Sequence, residues 1–152
     1  MMWPILETMN LIKQDGPYCL VTSAAMVLDV QPSDIHDHIG HNGTEIWWPP
    51  DGKRGIHIQE IQRFAMSIGK IFAPLDVYPT TAQDQTTTPK EIYTRELASR
   101  LFEIALLGHR GILIMENHAV AFQGHTCYDP QGFIKSIEYY EIRQAWLVAN
   151  LI

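Results

Sequence analysis

The chain has 152 residues, 46% of them hydrophobic and 18% charged, which describes one globular domain able to bury about 70% of its unfolded surface. The net charge is −6, and the 11 Lys and Arg form no cluster beyond Lys53-Arg54, so there is no basic face for a phosphate backbone and no nucleic-acid partner is expected. Two cysteines are too few for a disulfide-rich scaffold or a four-cysteine zinc site, and no apolar run approaches the ~20 residues that span a bilayer, so no membrane partner is expected either.

Residues 1–13 form a mixed approach segment without the basic start and long apolar stretch of a secretory signal, which predicts a cytoplasmic protein. Gly16-Pro17 marks a turn. From about residue 17 or 18 to 29 nothing breaks a helix, and Leu20, Ala24, Val27 and Leu28 are spaced to face a core. Pro32 opens a second helix to about Ile39, with Gly40 as its stop. The composition of 41–55, with Trp47-Trp48-Pro49-Pro50 and Asp51-Gly52, predicts a long loop.

A third helix follows over about 58–68, on the stripe Ile58, Ile61, Phe64, Ala65 and Ile68, and 71–77 is extended. The Thr- and Gln-rich stretch 79–88 predicts an exposed connector, and Thr88-Pro89-Lys90-Glu91 is a capping box that opens a helix to about Leu107. After Gly111 the apolar runs become short. Those at 112–115, 118–122, 126–128 and 132–134, broken by turn residues, predict an antiparallel meander. Residues 136–144 can form a short helix capped by Ser136, and 146–149 a last strand. The layout is a single α+β domain over 1–152, an N-terminal helical part packed on a C-terminal antiparallel sheet.

Chemistry concentrates at Cys19. A thiol in the first turn of a helix meets free backbone N–H groups and the positive end of the helix dipole, both of which favour the thiolate. A nucleophilic thiol needs a base within reach and a group to orient that base. His118 at the start of one strand and Asp129 at the end of the next can stand side by side. Taken singly, each residue also has a plain structural reading: a buried inert thiol, a strand histidine and a turn residue before Pro130.

His36, His38 and His41 have metal-like composition, but a helix from Pro32 turns His36 and His38 about 200° apart, so neither a metal nor a cofactor is expected. His57, His109 and His125 read as surface or cap residues, with His125 the minor rival of His118. Trp47, Trp48 and Tyr18 either line a cleft or anchor the loop.

Gln14, then Cys19 heading Ala24-Ala25-Met26-Val27-Leu28, then Asn117-His118-Ala119-Val120-Ala121-Phe122, then Tyr128-Asp129-Pro130-Gln131-Gly132 resemble the papain-like cysteine peptidases. Within them the closest branch is the bacteriocin-processing type. The likeness spans residues 14–146. It implies a papain-like fold, and a hydrolase that cleaves a peptide, amide or isopeptide bond of a peptide or protein substrate without a cofactor. Cys19 would be the nucleophile, His118 the general base and acid and Asp129 its orienting group. The Gln14 amide with the Cys19 N–H would form the oxyanion hole. The chain departs from the family at Leu20, where Gly is usual, and at Gln14, which stands one residue nearer the cysteine. Three alternatives remain open: an acyl transferase or deamidase using the same residues, a catalytically weak papain-like binding module, and a metal-dependent hydrolase built on 36–41.

Overall fold

The computed structural model describes residues 9–41, 46–47, 52–53, 56–75 and 107–151. The expected connector 79–88 and most of the helix expected to end near Leu107 lie outside the described residues. Among the described residues three helices, α1 (Cys19–Leu28), α2 (Pro32–Ile39) and α3 (Ile58–Ser67), precede most of the sheet. The strands are β1 (Ile46–Trp47), β2 (Gly52–Lys53), β3 (Lys70–Pro74), β4 (Arg110–Ile114), β5 (Ala119–Gln123), β6 (Thr126–Asp129), β7 (Phe133–Ser136) and β8 (Gln144–Asn150). The class is α+β.

In α1, every residue from Val21 to Leu28 is buried. A helix apolar on all sides belongs inside a fold, and α1 packs against β4 and β5 on one flank and α2 and α3 on the others. It ends at Asp29, which adopts the left-handed conformation (φ 57°) and pairs with Arg110 of β4 at 3.0 Å. Helices α2 and α3 both begin with capping boxes, Gln31 with Asp34 and His57 with Glu60, so their first free N–H groups are satisfied locally.

The six-stranded sheet is antiparallel throughout, in the order β3-β8-β4-β5-β6-β7. The last strand, β8, therefore lies between β3 and β4. Alternation along the strands builds two apolar clusters. Ile112, Ala119, Ala121 and Tyr128 join the helices, whereas Leu113, Val120, Phe122 and Cys127 meet Ile137, Tyr140 and Ile142 on the opposite face. Edge strand β3 is secured by Gln62 of α3, whose side-chain amide accepts the Phe72 N–H at 2.7 Å and donates to the Phe72 carbonyl at 2.8 Å.

Two expectations are corrected. The stretch 41–55 is not loop throughout, since Ile46–Trp47 pairs antiparallel with Gly52–Lys53. The stretch 136–144 is not a helix beyond one 3-10 turn, Ile137–Tyr139. Ile137, Tyr140 and Ile142 all enter the same cluster, and a continuous helix would turn Ile142 about 140° away from Ile137. The backbone is instead extended at Tyr140 (φ −108°, ψ 145°), and Ser136 bonds the Glu138 carboxylate rather than capping a helix N–H.

Candidate active site

The turn before α1 depends on Gly16. Its φ of +104° is left-handed, and a Cβ there would come within 2.9 Å of the Tyr18 ring. The Gly16 carbonyl accepts the Tyr18 N–H at 2.9 Å and the Gln14 side-chain N–H at 2.8 Å. Helix α1 then starts at Cys19 itself, with no side-chain cap over its first turn. Cys19 is partly exposed, unlike Cys127, which is fully buried on the far face of the sheet.

His118 arrives from the other end of the chain. His118 directly precedes β5, its carbonyl accepting the Met115 N–H at 2.8 Å, and Asp129 ends β6, the strand that pairs with β5. His118 Nε2 lies 3.0 Å from each Asp129 carboxylate oxygen. An ionised carboxylate only accepts, so Nε2 carries the hydrogen. The second ring nitrogen, Nδ1, is not engaged by Asp129. The proximity of Cys19, opposed by partial burial and reinforced by Asp129, raises the His118 pKa from 6.5 to about 9.

The register that brings helix and sheet together is fixed by Ser23, one turn beyond Cys19. Its buried hydroxyl donates to the carbonyl of Ala119, the neighbour of His118, at 3.1 Å. A serine beside Thr22 in a mostly apolar helix gave no reason to single it out, although its i, i+4 spacing from Cys19 places both on one helix face.

Asp129 is 1% exposed and sits at the corner where β6 turns into β7. The Gly132 N–H donates to the Asp129 carbonyl at 2.9 Å, and the Gln131 N–H donates to Asp129 Oδ1 at 2.8 Å. The turn expected of Asp-Pro is present, and it is what aims the Asp129 carboxylate at His118. Tyr140 adds a donor that the sequence did not disclose, its hydroxyl donating to Asp129 Oδ2 at 2.8 Å. It falls in the stretch expected to be helical, where no pairing with Asp129 suggests itself.

Gln14 is brought to the same corner by its main chain, whose N–H donates to the carbonyl of Pro130, next to Asp129, at 2.6 Å. One of its two amide N–H groups is committed to Gly16, which leaves one for any other acceptor. Cys19, His118 and Asp129 thus come together from the two ends of the chain, with His118 bonded to Asp129 and Gln14 anchored beside the Asp129 turn. A cleft of about 400 Å³ opens on this corner, lined by His118, Asp129, Met115, Phe133, Tyr139 and Tyr140.

The remaining histidines go elsewhere. His36 lies edge-on to Tyr18 at 4.9 Å between centroids, His38 edge-on to Phe64 at 5.4 Å, and His41 bonds Glu60 at 2.7 Å. Among the described residues no three His, Cys, Asp or Glu side chains gather as metal ligands, and no helix is long and apolar enough to cross a membrane. Burial, with help from the charges of Glu138 and Asp129, pushes the Cys127 thiol up to about 12. The chain matches no protein-family model, no curated protein and no solved structure.

Proposed function

We propose that the protein is a cysteine-dependent hydrolase of papain-like fold, acting on a peptide, amide or isopeptide bond through an acyl-enzyme on Cys19. The observation that carries this reading is the position of His118, held at 3.0 Å by the buried Asp129 and close enough to Cys19 that the thiol is the largest influence on its pKa. In the reaction, the thiolate of a Cys19–His118 ion pair attacks the carbonyl carbon, its proton already resting on the imidazolium. The oxyanion is met by the Cys19 N–H and the remaining amide N–H of Gln14. The imidazolium then protonates the departing nitrogen, and water deprotonated by His118 releases the acyl group. Asp129 fixes the ring so that Nδ1 faces the thiol.

Peptide-mapped alkylation tests this reading. At about pH 6, iodoacetamide should label Cys19 at least ~10-fold faster than a free cysteine, because only an activated thiol is thiolate there, and should leave Cys127 untouched. The change His118→Ala should remove the excess. Equal, slow labelling of both cysteines would instead favour a papain-like binding module, the reading to which the tie between Gln14 and Gly16 lends support.

A further inference from the structure

Asp129 accepts more hydrogen bonds than holding one histidine requires. His118 Nε2 stands 3.0 Å from both of its oxygens, so the N–H is shared between them. Each oxygen also has a second donor at 2.8 Å, the Gln131 N–H on Oδ1 and the Tyr140 hydroxyl on Oδ2. An oxygen that accepts from two donors offers less of its charge to each, and a symmetric contact is what balanced competition produces.

We infer that Tyr140 is a positioning residue, whose hydroxyl competes with His118 for Asp129 Oδ2 and thereby sets how tightly the carboxylate holds the imidazolium. Tyr140 is 8% exposed and packs in the cluster with Leu113, Ile137 and Ile142, so its hydroxyl is a fixed donor. Burial and the bond to Asp129 raise its pKa, and it keeps its proton wherever His118 titrates. The groups facing His118 are Cys19 from α1, Asp129 from β6, and across the cleft Glu116, Tyr139, Glu141 and Arg143. Glu116 and Arg143 neutralise each other at 3.2 Å, and Cys127, behind Asp129, stays protonated.

The functional consequence, which rests on the hydrolase reading, is a better acid. An imidazolium held less tightly gives its proton more readily to the departing nitrogen. Among the described residues, Tyr140 is the side chain besides His118 that bonds the Asp129 carboxylate.

The test is an NMR titration of the His118 ring in the full chain, from about pH 5 to 10, assigned with His118→Ala. Tyr140→Phe keeps the packing and removes the donor, so the His118 midpoint should rise by ~0.3–1 unit, a twofold to tenfold gain in proton affinity. In an Asp129→Asn background the same change should leave the midpoint where it was. A folded Tyr140→Phe chain with an unmoved or lowered midpoint, or an equal rise in both backgrounds, overturns the inference. Should Tyr140→Phe fail to fold, 3-fluorotyrosine installed at position 140 retains the packing and donates more strongly. It should lower the midpoint, and an unchanged value overturns the inference. Because the readout is a titration, inert Cys19 labelling sinks the hydrolase and leaves this result standing.

Discussion

The bonds of His118 define the site at the scale of single residues, and they carry a pH signature. Its pKa rises from 6.5 toward about 9 on folding, chiefly through Cys19. The folded state therefore binds this proton more tightly than the unfolded chain does. The resulting stabilisation is fully present below about pH 6.5 and is lost as pH climbs through about 9. Urea midpoints measured across that window should fall more steeply for the native chain than for His118→Ala, and parallel curves would contradict the raised affinity of His118 for its proton. Asp129→Asn should be costlier than its shape suggests. It leaves the His118, Gln131 and Tyr140 donors facing an amide that cannot accept them all. Both stability and Cys19 reactivity should drop, the latter by ~10²-fold or more. On the proposed hydrolase reading, Gln14→Ala should lower turnover by about 10²–10³ while leaving Cys19 alkylation nearly unchanged, since an oxyanion donor acts only once the carbonyl is attacked.

At the scale of elements, the site is two ends held in register. Helix α1 delivers the thiol, the β5–β6 pair delivers imidazole and carboxylate, and Ser23 joins them through Ala119. Ser23→Ala should cost ~1–3 kcal/mol by leaving a buried carbonyl unpaired, and slow Cys19 labelling together with the loss of thermal midpoint. Thermal unfolding alongside labelling checks both. Much of this architecture was legible beforehand. Pro32 and Gly40 bracket α2 and the apolar stripe of α3 ends at Gly69, because caps and helical periodicity are local signals. The meeting of His118 with Asp129 was legible from residue type and strand spacing. Tyr140 and Ser23 were not. Tyr140 reaches Asp129 only because the chain leaves its 3-10 turn in extended form, a conformation dictated by the burial of Ile137, Tyr140 and Ile142 in one cluster.

For the whole molecule, the arrangement depends on chain order being undone in space. Strand β8, from the C-terminal part of the sequence, lies beside β4 near the middle of the sheet, and nothing in its composition announces that place. Gly111 of β4 permits it. A Cβ there would collide with the Trp146 carbonyl of β8 and come within 2.7 Å of the Phe122 ring, so Gly111→Ala should destabilise the fold and lower its thermal midpoint. The central claim is equally long-range: a thiol at residue 19 shares a proton with an imidazole at residue 118. The most direct measurement is the rate of Cys19 alkylation followed across pH. It should show an appreciable rate already at about pH 6 and a second inflection near 9, where His118 loses its proton, and His118→Ala should remove that inflection. A single inflection near 8.5, as for a free thiol and the same in both chains, would contradict it.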